Sequence, residues 1–232
     1  MHRDRRRGLR PRALVHHRLF RRLIFEQRTG TTIFKALDQE LAKPLGFEDF
    51  DLSRQRMMGF KDRSRFLAYH LFLSARDMAR LGEVMAQAGT WRGKQVVAAD
   101  WVRESTKPRV APADVGRSAD FAYGYLWWIP VTRPAPQWAG SFMMSGQFGQ
   151  FVLVLPAIDT VIVHRRAVAD EYAIARNLGT TKFEPTRVQA PEFLKLADAV
   201  VAAIWRSCRS NRSAGRRSAG CSCPASACAS YP

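Results

Sequence analysis

The sequence predicts a sheet of several strands with helices packed on it, and three stretches carry that prediction. The first is Ser141 to Arg165, SFMMSGQFGQFVLVLPAIDTVIVHR, in which Phe151-Val152-Leu153-Val154-Leu155 is apolar at every position. A run without alternation suits a strand covered on both faces, and its β-branched and aromatic content argues against a short buried helix. The second lies after Ser74, where Met78, Leu81, Val84 and Met85 fall on one face of a helix. The third is Glu192–Trp205, with Phe193, Leu196, Val200, Val201 and Ile204 as a second such stripe. A lone hairpin does not stand. Ordering its backbone costs about 1–2 kcal/mol per residue, against roughly 1.5–3 kcal/mol for each apolar side chain that is fully buried. The hairpin therefore belongs in the middle of a larger sheet.

Charge decides the domain organisation. The 232 residues carry a net charge of +17, which invites a nucleic-acid reading. Residues 1–22 hold nine Arg and one Asp, and residues 206–232 hold five Arg and no acid. Thirteen of the seventeen charges thus lie at the two ends, and residues 23–205 keep an ordinary +4. The expected organisation is a basic disordered arm over 1–22, a folded domain over 23–205 and a disordered Arg/Ser/Cys-rich tail over 206–232. All four cysteines, Cys208, Cys221, Cys223 and Cys228, fall in that tail. Cys221-x-Cys223 has neither a second pair nor a His at zinc spacing, so no metal site is expected, and no motif asks for a cofactor. No apolar run reaches the roughly 18–20 residues that span a membrane. The Arg-rich start is not followed by an apolar core, so no secretory signal is expected and localisation stays open.

Taken in order, Leu23-Ile24-Phe25 and then Ile33, Phe34, Leu37 and Leu41 fit two helices around a Thr29-Gly30 break. Thr31 or Thr32 is the expected cap of the second helix, and Lys43-Pro44-Leu45-Gly46 its stop. Residues 52–66 are polar, basic and aperiodic, and read as loop. Ser74-Ala75-Arg76-Asp77 is a capping box, with the Ser74 hydroxyl accepting from the Asp77 amide and the carboxylate reaching back. Gly89–Lys94 reads as a turn, Gln95-Val96-Val97 as a short strand, Ala99–Thr106 as a helix carrying Trp101, and Pro108–Asp120 as a loop. Phe121–Ile129, FAYGYLWWI, reads as one aromatic strand, with Gly124 marking a bulge or a close backbone approach. Ser141 to Gly149 reads as a Gly-punctuated turn before the strands Gln150–Leu155 and Thr160–His164, and Glu171–Arg176 as a short helix.

The pieces LFLSARDMARLGEVMAQAG, TWRGKQVVAADWVREST, FAYGYLWWI and SGQFGQFVLVLPAIDTVIVHR, in this order, resemble the C-terminal half of a serine hydrolase. The family is that of class C β-lactamases, penicillin-binding-protein-like esterases and 6-aminohexanoate-dimer hydrolases. The resemblance covers about residues 23–205 and lies in the succession of motifs. It implies an α+β fold of the β-lactamase/transpeptidase type, an antiparallel sheet flanked by helices, here incomplete on the N-terminal side and with an open sheet edge. It also implies acyl transfer on a small-molecule amide or ester. In that family the serine of S-x-x-K attacks the carbonyl, and the lysine with the tyrosine of Y-x-N manages the proton. A third motif on a sheet strand, K-T-G or a variant, lines the site and gives an oxyanion-hole N–H.

No Ser in the chain is followed three residues later by Lys, no Tyr begins Y-x-N or Y-x-S, and no G-x-S-x-G occurs. Thr32-Ile33-Phe34-Lys35 has the spacing with Thr, but at the wrong place in the family order. The third motif alone has a candidate, Met144-Ser145-Gly146. By the resemblance Ser145 faces the substrate and the Gln147 amide is the oxyanion donor; the plain reading of Ser145-Gly146 is a turn before a strand. Met144 in the cationic position points away from β-lactam carboxylates and toward a neutral amide or ester. The expected function is a truncated serine hydrolase that is inactive alone. The alternatives are non-specific nucleic-acid binding through the basic ends, and a non-catalytic relative whose pocket holds a small acyl compound.

Overall fold

A computed structural model of the protein describes residues 23–58, 67–115, 120–146, 149–166 and 188–213. Helix α1 covers 23–29. Helix α2 opens as Ile33–Leu37, widens into a π-turn over Asp38–Ala42 and finishes as Lys43–Leu45. Thr32 caps it, its hydroxyl accepting from the Lys35 amide at 3.2 Å. The π-turn lies just ahead of Pro44, whose ring has no N–H for the ladder, and so carries the helix through the proline. Gly46, left-handed at φ +64, ends it.

Residues 52–66 are not all loop. Arg56–Met58 forms strand β1 and pairs with β2, Ala68–His70. Three residues without a β-branched member give no sequence signal, and tertiary pairing makes the strand. Helix α3 is Ala75–Ala86, with Ser74 accepting from the Asp77 amide at 3.0 Å. The other half of the expected box is absent, because the buried Asp77 carboxylate accepts from the Glu48 amide at 2.8 Å instead. It thereby ties the α2–β1 loop to α3. The next strand pair is β3, Thr90–Trp91, and β4, Lys94–Gln95, closed by Arg92 and Gly93, both at positive φ. Such a two-residue turn fixes the register, and so the strand ends before Val96, whose amide bonds to the Gly89 carbonyl. Helices α4, Ala99–Ser105, and α5, Pro112–Val115, follow.

The main sheet is antiparallel in the order β5-β6-β7-β8-β9, from Phe121–Tyr123, Trp128–Pro130, Phe142–Gly146, Gln150–Leu155 and Thr160–His164. The aromatic stretch expected as one strand is two. The Gly124 amide donates to the Trp127 carbonyl at 2.8 Å and closes a hairpin. A Cβ on Gly124 would sit 2.5 Å from the Ser105 carbonyl oxygen, so the chain turns where only glycine fits. Residues 142–146, expected as turn, form β7 and pair along their whole length with β8.

Helix α6 spans Ala190–Ser213, running past the expected end at Trp205. Residues after Trp205 add no apolar stripe, but extending a formed helix needs no new nucleus. The expected helix over Glu171–Arg176 lies outside the described residues.

Strand β8 is covered on both faces, as its unbroken apolar run requires. Val152 and Val154 pack with Val84 and Met85 of α3, together with Phe142 and Trp127. Phe151, Leu153 and Leu155 pack with Phe193, Leu194 and Ala197 of α6 and with Met143. The molecule is a helix–sheet–helix sandwich. Arg133, lying over the Trp138 ring, closes one side through a two-pronged ion pair to Asp198 of α6, both contacts at 3.0 Å.

Candidate functional site

Ser145 lies on β7 directly opposite Phe151 of β8, and Phe151 lies opposite His164 of β9. Opposed residues of an antiparallel sheet share a face, so the three side chains form a row on the α6 side. Phe151 is buried and stacks on Phe193 of α6 at 4.7 Å between centroids. Ser145 is half-buried and Gly146 exposed, so the row surfaces at its β7 end. Two strand spacings put Ser145 and His164 about 10 Å apart.

Where Ser145 sits, β7 has no second strand neighbour among the described residues. Strand β6 meets β7 at Trp128↔Met143, and no further pairing follows among the described residues. Before Trp128 the chain leaves the sheet plane for the Gly124 turn, with Trp127 drawn edge-on against Phe142 at 4.9 Å. Met144, Ser145 and Gly146 therefore have β8 on one side and no described strand on the other.

Two side chains fix the end of the sheet beside Gly146. Gln150 clamps the Arg166 main chain, its Nε2 donating to the Arg166 carbonyl at 2.8 Å and its Oε1 accepting from the Arg166 amide. His164 Nδ1 is 2.6 Å from the Gly149 carbonyl oxygen. A carbonyl only accepts, so Nδ1 carries the hydrogen of this contact. Gly146 is confined as well, since an added Cβ would lie 3.0 Å from Gln150 Cβ. Sequence reasoning singled out neither Gln150 nor His164. No spacing points to them, because β8–β9 register alone brings them to this corner.

Of the candidates, Ser145 and Gly146 are placed together at the end of β7, and Gln147 lies outside the described residues. A serine hydroxyl attacks only when a base takes its proton. Among the described residues no base is hydrogen-bonded to Ser145, and His164 is separated from it by the Phe151 ring. The row can line and orient a bound group. Thr32 spends its hydroxyl on the α2 cap. No cluster of three or more His, Cys, Asp or Glu that could hold a metal ion occurs among the described residues. No described helix is long and apolar enough to cross a membrane.

The β-lactamase family model matches residues 20–164, well over half of the chain and every element from α1 to β9. The chain belongs to the β-lactamase family. Its fold is accordingly the β-lactamase/transpeptidase type, with antiparallel strands and helices on both faces. Two solved structures resemble it. One, assigned as a 6-aminohexanoate-dimer hydrolase from Bacillus anthracis, is 26% identical, with TM-score 0.34 over 48% of this chain and 28% of its own. The other, a penicillin-binding protein homologue from Caulobacter crescentus, is 19% identical, with TM-score 0.44 over 60% of this chain and 48% of its own. The chain thus spans less than half the length of these solved relatives. No curated protein matches it. The assignment as a β-lactamase-family chain rests on the family match and on the order of elements.

Proposed function

We propose that this β-lactamase-family chain forms one wall of an acyl-transfer cleft for a neutral amide or ester. In this reading Ser145 contacts the bound group, Gly146 lets it approach the backbone, and the Gln147 amide is the oxyanion donor. The observation that carries the reading is the position of Ser145, half-buried on β7 where β6 no longer pairs and no other described strand takes its place. The neutral substrate class rests on the motif reading alone, in which Met144 stands in the cationic position; its side chain packs on the opposite face of β7, against the α3 core.

The second part of the proposal is that these 232 residues do not turn substrate over by themselves, since no S-x-x-K serine or Y-x-N tyrosine is among them. The test is intact-mass analysis after incubation with a fluorophosphonate or penicillin probe, alongside stopped-flow assays with a chromogenic ester and a cephalosporin. No burst and no adduct are expected; stoichiometric labelling overturns this part. The wall itself is tested by saturation-transfer NMR with short amides and esters. Signals that weaken in Ser145→Val and Gly146→Ala support it, and signals indifferent to both overturn it. Of the basic ends that prompted the nucleic-acid alternative, residues 1–22 and 214–232 lie outside the described residues and Arg206, Arg209 and Arg212 lie on the last turns of α6; no observation favours that alternative.

A further inference from the structure

Strand β8 stops pairing with β9 at Phe151↔His164, and side chains take over where the ladder ends. Continued by one step and then another, that register would set Gln150 against Arg165 and Gly149 against Arg166, and neither pair belongs to the ladder. The Gln150 side chain instead does what a peptide unit does in a sheet. Its Nε2 donates to the Arg166 carbonyl at 2.8 Å, and its Oε1 accepts from the Arg166 amide at 3.3 Å. Gly149 turns away at φ +80, and its carbonyl accepts from His164 Nδ1 at 2.6 Å. A Cβ on Gly149 would lie 3.1 Å from the Val188 carbonyl oxygen, so the stretch before α6 closes a third side. At the other end of the β7–β8 connection, Gly146 is confined by the Gln150 stem, 3.0 Å from where its own Cβ would be. Neither glycine has a side chain to anchor it. The backbone beside Ser145 is therefore fixed by what packs on it, and Gln150 and His164 do most of that.

We propose that Gln150 and His164 are positioning residues of the cleft proposed above, on which this inference rests. They hold the β7–β8 backbone so that it recognises the carbonyl oxygen of a bound ester or amide. Neither side chain meets the ligand. Gln150 acts through Gly146 and the Arg166 main chain, and His164 acts through Gly149, with the Phe151 ring between it and Ser145. A backbone donor that is already in place when the ligand arrives loses no freedom on binding, so more of its hydrogen bond appears as affinity. Loosening either anchor thus costs the carbonyl contact first and leaves apolar contacts to the rest of the ligand.

The test is an NMR titration of the full chain with benzyl acetate and with benzyl ethyl ether, which differ only in the carbonyl. The parent is expected to bind the ester more tightly by about two- to tenfold, the worth of one net hydrogen bond. His164→Phe keeps a ring beside Phe151 and Phe193, whose centroids lie 6.1 and 6.2 Å from that of His164, and removes the donor. Gln150→Met keeps the stem against Gly146 and removes both bonds to Arg166. In both, the ratio is expected to fall to about one. His164→Asn returns an amide N–H toward Gly149 and is expected to restore it. Partial unfolding lowers both affinities by the same factor and leaves their ratio alone, so a merely structural role does not move this readout. Circular dichroism identifies a variant that has not folded, and the other then decides. A parent ratio of about one, or a ratio unchanged in the folded variants, overturns the positioning role and leaves the cleft standing. Ester binding that is absent from the parent, or indifferent to Ser145→Val, overturns the cleft and the positioning role with it.

Discussion

Gly89 stands at φ +87, and a Cβ there would lie 1.9 Å from the Val97 carbonyl oxygen. Gly93, at φ +80, has nothing within 4 Å. Both glycines accept a backbone that L-residues avoid, but only Gly89 is also walled in. Gly93→Ala is expected to cost about 1 kcal/mol, the conformational part alone. Gly89→Ala is expected to cost about 3 kcal/mol or more, since the Val97 backbone must move. Urea unfolding of the pair checks the contrast. His70 supplies a pH dependence. Burial, and secondarily the Arg56 guanidinium, hold its imidazole below the ordinary 6.5. The fold thus prefers the neutral ring, while the unfolded chain takes up a proton near 6.5. This contribution to stability is complete above that pH and is lost as pH falls through 6.5 toward the lower folded value. Urea midpoints at pH 7.5 and 5.5 are expected to differ less in His70→Gln than in the parent. Ser145 was singled out by the motif order of the resemblance, since Ser-Gly before an apolar run reads by itself only as a turn, and its position on β7 comes from the structure. Gln150 and His164 were not, because their roles depend on which backbone group a neighbouring strand presents.

Helix α3 meets the sheet at Gly82. An added Cβ would lie 2.5 Å from one methyl of Val161 and 3.0 Å from a methyl of Val152. Two effects compete in Gly82→Ala. Helix propensity favours alanine by about 1 kcal/mol, while overpacking a close helix–sheet contact costs about 1–3 kcal/mol. The added Cβ meets methyls of two β-branched side chains, one of them the fully buried Val152, so the clash wins and net destabilisation is expected. Thermal unfolding measures it, and a raised midpoint contradicts it. Long patterned elements were legible at this scale: α3 and α6 carry a helical period, and β8 an unbroken apolar run. The short ones were not. β1 is three residues held by pairing to β2, and the split of Phe121–Ile129 into β5 and β6 follows from the wall that Ser105 and Lys107 carbonyls build around Gly124.

Across the whole molecule, α6 closes one face of the sheet through Phe193, which is wholly buried and stacked on Phe151. Phe193→Ala is expected to cost about 3–5 kcal/mol and to loosen the floor beneath Ser145. Hydrogen exchange of the β7 and β8 amides is expected to rise together, and protection that stays unchanged in both strands contradicts that coupling. By itself, the sequence determined the family, the two-faced central strand and the amphipathic helices that cover it. Those follow from periodicity and motif order, which act within a few residues along the chain. Only the tertiary structure decided that Ser145, Phe151 and His164 stand in one row and that, among the described strands, β6 stops pairing with β7 at Met143. Strand register and sheet order are set by contacts between residues far apart in the chain, and no local pattern records them.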